Sequence, residues 1–220
     1  MSNLFYSGSG RHTSGAFTVT MKDGAKLAKQ IAKLENGGKV AIQRTVSDFN
    51  SRAPAWVSKG IRQHYGVDTA AIKSAGPQKK KGATHINVAG VSVDGATLEY
   101  KGRTLTPTHF KMSPKSRPTK RRRTPILIPS PEVGTVRPPA PYQITAQIIK
   151  GQRARLPDNT FMGAGKVPAI PFQRTGSGRG PLEAVHTLSV PQMIDGRAKE
   201  TIETMISEGL EKRFTHHVQQ

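Results

Sequence analysis

The first readable pattern in the chain is Phe17-Thr-Val-Thr-Met21, where apolar and polar residues alternate as on a strand with one buried face. Asp23-Gly24 supplies a break and a cap, and Leu27, Ile31 and Leu34 then fall at i, i+4 and i+7, one side of a 3.6-residue period. This predicts a helix that Asn36-Gly37-Gly38 stops. Val40, Ala41, Val46, Phe49 and Ala53 form the next stripe, with Lys39, Arg44, Asp48 and Arg52 largely off it, which predicts a second helix. Pro54 lacks an N–H and crowds the preceding turn, so it interrupts that helix and opens another carrying Trp56, Val57 and Ile61 up to Gly66. Asp68 caps one further short turn, Thr69 to Ala75.

Beyond the charged tether Gln78-Lys79-Lys80-Lys81-Gly82 the period changes to two. Ile86, Val88, Val91, Val93, Leu98, Tyr100 and Leu105 alternate with polar residues, and Asp94-Gly95 and Lys101-Gly102 supply turns, predicting a small antiparallel sheet. Alternation returns at Tyr142 to Ile149, with Lys150-Gly151 as a turn and Arg153 to Leu156 as the returning strand of a hairpin. Val167 to Gln173 and Leu182 to Val190 are further strand candidates around the Gly-rich loop Thr175 to Gly180. Ile202, Met205, Ile206, Leu210 and Phe214 lie at helical spacing among Glu and Lys, an amphipathic C-terminal helix. Helices, then strands, then a helix predict an α+β fold rather than alternating βαβ units. The expected organisation is an N-terminal arm over 1–16, the helices and first strands of one α+β domain over 17–110, an extended insertion over 111–141, and the remaining hairpins and C-terminal helix over 142–220.

Composition changes the picture at the insertion. The chain carries 34 Lys and Arg against 14 Asp and Glu, a formal charge of +20, so an acidic partner is expected: nucleic acid, an acidic protein or an anionic surface. Lys111, Lys115, Arg117, Lys120, Arg121, Arg122 and Arg123 are followed by six prolines from Pro125 to Pro141, a density that excludes a helix or a central strand. The basic run reads as a solvated loop, a nucleic-acid contact or a clamp on an acidic protein surface, and least readily as a nuclear address. Without an RNA-recognition, helix-turn-helix or zinc-finger pattern beside it, any DNA contact would be to backbone.

Candidate chemistry is sparse. No cysteine means no disulfide and no thiolate zinc site. Gly176-Ser-Gly-Arg-Gly180 lacks the spacing of a phosphate-cradling loop and serves a hairpin tip more simply. His12, His64, His85, His109 and His186 are scattered, and His216-His217 are adjacent, so no metal ligand set is predicted. Glu200, Glu203, Glu208 and Glu211 are accounted for by pairing along the last helix, and no serine sits in a nucleophile elbow. Neither catalytic residues nor a cofactor are expected. With no leader pattern and no run of ~18 apolar residues, the expectation is a soluble chain made in a cytoplasm, with no membrane partner.

The stretch Ile144-Thr-Ala-Gln-Ile-Ile-Lys-Gly-Gln-Arg-Ala-Arg-Leu-Pro157, then Asn159-Thr-Phe-Met-Gly163, Ile170-Pro-Phe-Gln-Arg-Thr-Gly176, Pro181-Leu-Glu-Ala-Val185 and Ser189-Val-Pro-Gln-Met193, resembles the minor tail protein Z family of long-tailed bacteriophages and prophages. Ala41-Ile-Gln-Arg44 and Tyr100 to Phe110 match more loosely, and 111–141 is the clearest departure. The resemblance implies a structural virion protein without catalysis. It would resemble tail-completion and tail-terminator proteins, which ring the head-proximal end of the tail tube and let DNA pass. It implies partnership with further copies in a ring, commonly sixfold, with the tail tube protein and with terminator or connector proteins. The hairpins would supply ring and tube contacts, with Ile144, Ile148, Lys150, Arg153, Arg155, Phe161, Phe172 and Arg174 as candidates. The basic arm would face DNA in the lumen or clamp a neighbouring ring, in a virion tail assembled in the bacterial cytoplasm. A sequence-independent nucleic-acid-binding protein is the alternative.

Overall fold

The computed structural model describes residues 4–21, 24–33, 35–72, 84–92, 95–117, 142–165, 168–174 and 181–219. The chain has an α+β fold. Its elements are β1 (Tyr6–Ser7), β2 (His12–Thr20), α1 (Gly24–Ala32), α2 (Glu35–His64), α3 (Thr69–Ile72), β3 (Thr84–Ser92) and β4 (Gly95–Arg103), then β5 (Thr145–Ala146), β6 (Ala154–Arg155), β7 (Thr160–Met162), β8 (Pro171–Arg174), β9 (Leu182–His186), α4 (Val190–Asp195) and α5 (Lys199–Val218). They divide into two units, residues 10–105 with 188–220, and residues 1–9 with 106–187.

In the first unit α2 lies antiparallel on α5, and both bury every fourth residue. Ala41, Thr45, Phe49, Ala53, Val57, Ile61 and Tyr65 are buried along α2 and just past its end, and Ala198, Ile202, Ile206, Leu210 and Phe214 along α5. Rows of i±4 residues are the ridges by which packed helices interdigitate. Small residues set the closeness of this contact. A Cβ on Gly60 would lie 2.6 Å from Ile202 Cγ1, and one on Gly209 would lie 2.5 to 2.8 Å from three atoms of the Trp56 ring. At the periphery Asp48 Oδ2 meets Arg213 Nη1 at 3.4 Å and His217 Nε2 at 3.4 Å, and His64 Nε2 meets Thr201 Oγ1 at 2.7 Å. These part-exposed polar contacts align the pair, while burial of the apolar ridges, roughly 1.5–3 kcal/mol per large side chain, supplies most of the stabilisation.

Two predicted helix stops therefore fail. α2 runs through Gly37-Gly38 and through Pro54. Gly38 serves close approach instead, since a Cβ there would sit 2.7 Å from the Ile31 carbonyl oxygen. Pro54 removes one backbone donor, but Ala53, Val57 and Ile61 remain wholly buried on the same ridge, and that packing outweighs a cost of about 3 kcal/mol.

The sheet of this unit has the order β2-β4-β3, antiparallel throughout, with Val19 opposite Ala96 and Phe17 opposite Leu98. β2 begins at His12, so residues 12–16 of the expected arm are strand, and residues 6–7 pair as β1. β4 ends at Arg103; Thr104 bridges Ser189, and Leu105 is buried beyond the strand. Gly15 stands opposite Tyr100, and a Cβ on it would lie 2.7 to 2.8 Å from the Tyr100 ring and hydroxyl, so the ring covers the glycine. The Tyr100 hydroxyl donates to Asp195 at the end of α4, tying sheet to helix. α4 was not predicted as an element; Ser189 Oγ accepts from Gln192 N, and Ser189 N donates to Gln192 Oε1, a capping box that turns the end of the expected strand at Val190 into a helix start.

The second unit holds a four-stranded antiparallel sheet, β1-β9-β8-β7, and the short pair β5-β6. The hairpin predicted over Tyr142–Leu156 is present with two paired residues per strand, and Gly151 takes φ +84° in its turn, as glycine readily does. Val93, Val167, Ala75 and the loop Thr175–Gly180 lie outside the described residues.

Two predictions follow from these contacts. Gly209→Ala drives a methyl into the Trp56 ring; overpacking of about 1–3 kcal/mol exceeds the helix-propensity gain of about 1 kcal/mol. Thermal melting is expected to show a net loss, reduced in the background of Trp56→Leu. Burial, and then the hydrogen bond and charge of Asp195, push the Tyr100 phenol well above its ordinary value near 10. A raised folded-state value means stability fully present below pH ~10 and lost as pH rises through the folded value. Alkaline unfolding is expected to be steeper for the native chain than for Tyr100→Phe, and equal steepness would refute the coupling.

Candidate functional site

The candidate site grows from three neighbouring chain segments of the second unit. Around residue 110 the pattern is apolar-polar alternation: Phe110 and Met112 are buried, Lys111 and Ser113 exposed. Ser113 N donates to Thr145 O and Thr145 N to Ser113 O, both at 2.8 Å, the reciprocal pair of an antiparallel ladder. Gln147 N donates to Lys111 O at 3.3 Å, and Leu156 N to Ile144 O at 3.0 Å. The 144–147 segment therefore lies between 111–113 and 154–156.

Alternation then sorts the side chains. Ile144, Ala146, Ile148, Met112 and Leu156 go into the core. Ser113, Thr145 and Arg155 are successive partners across the three segments and share the opposite face, as does Arg153, whose Nη1 donates to Thr145 Oγ1 at 3.1 Å. Arg155 is tied to Asp158 at 2.9 Å, an exposed pair that orients the guanidinium rather than neutralising the face. Lys150 stands exposed in the hairpin turn, and Lys115 and Arg117 are exposed where the chain leads away from Ser113.

Among the described residues of this unit, seven are Lys or Arg and only Asp158 and Glu183 are acidic. An exposed row of guanidinium and ammonium groups interleaved with hydroxyls can hold phosphate or carboxylate oxygens by charge-assisted hydrogen bonds, the guanidinium in a two-pronged fork. Exposed groups of this kind suit recognition of a backbone or a surface.

The structure sorts the residues predicted for this role. Lys111, Lys115, Arg117, Lys150, Arg153 and Arg155 are exposed within one unit. Lys120, Arg121, Arg122 and Arg123 lie outside the described residues. Ile144 and Ile148, expected at an interface, are 3% and 0% exposed, because the strand alternation sends them inward; they pack the core instead. Phe161 and Phe172 are cross-strand partners with ring centroids 6.5 Å apart, and the Arg174 guanidinium sits 5.2 Å from the Phe161 centroid. These three form a half-exposed aromatic and cationic patch on the four-stranded sheet.

Sequence reasoning missed the root of the insertion. Residues 111–117, assigned to an extended arm, begin in the fold, with Met112 buried and Ser113 paired. Tyr142 holds the returning side, its hydroxyl accepting from Met162 N at 2.9 Å. The alternation Phe110-Lys111-Met112-Ser113 was the available signal. Elsewhere, among the described residues, no group of three or more His, Cys, Asp or Glu could hold a metal, and no helix is long and apolar enough to cross a membrane. An open groove lined by Glu208, Glu211, Lys212, Thr215, His216 and Gln219 is a charged side of α5.

Comparison of the chain with protein-family models, with curated proteins and with solved structures finds no match in any of the three.

Because Ser113 and Thr145 are directly paired, the segment between them is closed at its base. Replacing residues 118–141 by a short Gly/Ser linker is expected to leave the melting temperature unchanged, as loop-closure entropy varies only slowly with length. Thr145→Pro, which removes the N–H donated to Ser113, is expected to lower it; a collapse of the fold on linker replacement would contradict this assignment.

Proposed function

We propose that the chain is a structural tail protein of a long-tailed bacteriophage or prophage. It acts as a tail-completion protein like those of the minor tail protein Z family, ringing the head-proximal end of the tail tube. The observation that carries the proposal is the order of elements from β5 to α4. A strand, the Lys150-Gly151 turn and a return strand are followed by β7 reached through Pro157 to Phe161, by β8 carrying Phe172 and Arg174, by β9 after Pro181, and by a helix opening at Val190-Pro191. This is the order in which the family-like motifs occur in the sequence.

In this reading the protein works by assembly geometry and uses no catalytic group, metal or cofactor. The exposed cations rooted at Ser113 and Thr145 attach it electrostatically to an acidic neighbour, either the tube, another terminator or connector ring, or the DNA backbone in the lumen. The Arg174, Phe161 and Phe172 patch adds a short-range contact. Its place is the virion tail, after assembly in the host cytoplasm.

The carboxylate-poor basic face also favours a second reading, a free-standing, sequence-independent nucleic-acid-binding protein.

Cryo-EM of particles assembled with the full chain is expected to show a ring of it at the head-proximal end of the tube. Particles made with Lys111, Arg153 and Arg155 all changed to Ala are expected to lose that ring or the head above it. If the chain were missing from every particle, and the purified protein bound random duplex DNA with affinity falling steeply with salt, the second reading would replace the first.

A further inference from the structure

The three-stranded sheet of the unit formed by residues 10–105 and 188–220 ends on one side at β2, which is nine residues long and pairs with β4 in unbroken register. Among the described residues no strand pairs with its outer side. Edge strands present unpaired N–H and C=O groups to any passing strand, and proteins usually blunt them with charge, Pro, bulges or shortness. β2 carries none of these devices. His12-Thr-Ser-Gly-Ala-Phe-Thr-Val-Thr20 contains no Asp, Glu, Lys, Arg or Pro, whereas Glu99, Lys101 and Arg103 sit on β4, the protected middle strand. The register also fixes which backbone groups face outward. Thr104 N donates to Arg11 O at 2.8 Å, one step beyond the paired His12 and Arg103. Hydrogen-bonded partners recur at every second residue of an antiparallel ladder, so the odd-numbered residues of β2 turn their backbone groups toward β4. His12, Ser14, Ala16, Thr18 and Thr20 turn theirs to the open side, and Thr18 Oγ1 meeting Thr97 Oγ1 at 3.0 Å fits the closer, non-hydrogen-bonded type of pair. The side chains of these same residues are exposed.

This edge is self-complementary under a two-fold axis at Ala16. Two β2 strands set antiparallel about that axis place Ala16 opposite Ala16, Ser14 opposite Thr18 and His12 opposite Thr20, so every outward backbone group meets a partner of the hydrogen-bonding kind. The side chains brought together include Ala against Ala and Ser against Thr, pairs that adjacent strands accept readily, and none sets like charges opposite one another. Copies of a +20 chain repel one another, and an uncharged edge is where that repulsion opposes close approach least. We propose that two copies of the chain associate through β2, joining their three-stranded sheets across a two-fold axis at Ala16 into one continuous antiparallel sheet. The inference stands on this edge and does not require the tail reading, so either can fail without the other.

Light scattering on purified full-length protein tests it, at about 0.3 M salt, where screening confines charge repulsion to less than ~8 Å. The native chain at ~100 μM is expected to show twice the monomer mass. Ala16→Pro deletes an outward N–H and no bond to β4, the kind of position at which an edge strand accepts proline, and is expected to be monomeric with an unchanged melting temperature. Disulfides read the register, since the chain has no cysteine of its own. With diamide as oxidant, Ala16→Cys is expected to form a covalent dimer roughly tenfold faster than Thr18→Cys, because the two Cα atoms at position 16 stand ~5.5 Å apart, within disulfide reach. Those at position 18 are separated by four residues of strand, ~14 Å. Thr18→Cys mixed with Ser14→Cys is expected to cross-link as a heterodimer.

A native chain that stays monomeric at ~100 μM, a concentration that reveals contacts with dissociation constants up to that order, would overturn the proposal. So would an assembly that persists in a folded Ala16→Pro chain, or cross-linking no faster at position 16 than at position 18. If proline lowers the melting temperature, Ala16→Cys capped after folding with a bulky maleimide takes its place. Loss of the dimer then supports the contact, and its retention refutes it.

Discussion

The closeness of α2 and α5 is the constraint on which the remaining architecture depends. Gly60 takes the Ile202 side chain and Gly209 takes the Trp56 ring, so the two helices meet with one glycine in each surface. Because α2 lies early in the chain and α5 at its end, their contact obliges everything from 106 to 187 to leave and return at one place. It does so where Leu105 N donates to Leu188 O at 3.3 Å and Thr104 bridges Ser189. The same device recurs one level down, where Ser113 and Thr145 pair across the base of the basic, proline-rich segment. The chain is thus built as an insertion within an insertion, each closed by an antiparallel bridge. Closing a loop at its base costs an entropy that grows only with the logarithm of its length, so such nesting tolerates long excursions.

Much of this was legible in the sequence, and the failures have identifiable causes. Period-two patterns located β3, β4 and the Lys150-Gly151 hairpin because those strands have one buried face. The helical spacing of Ile202, Ile206, Leu210 and Phe214 marked α5. Local breaker rules failed at Gly37-Gly38 and Pro54, since a glycine that admits a neighbouring helix looks identical in sequence to one that ends a helix. Only the partner distinguishes them, Ile31 for Gly38 and Trp56 for Gly209. α4 was overlooked although Ser189-Val-Pro-Gln192 carries both halves of a capping box; the alternation leading into Val190 hid it. At the candidate site the charged residues were visible as a cluster, but the root that holds them was not. Pairing of Ser113 with Thr145 joins residues 32 positions apart, and periodicity carries no long-range information.

Charge is distributed unevenly between the units. Residues 1–9 and 106–187 hold 14 Lys and Arg against 3 Asp and Glu, a net +11, while the rest of the chain holds 20 against 11, a net +9 over a longer stretch. In the helical unit Asp48 faces Arg52, Arg213 and His217. In the other unit Asp158 answers Arg155. The field of the molecule that an acidic partner would feel therefore comes disproportionately from the unit carrying the basic insertion.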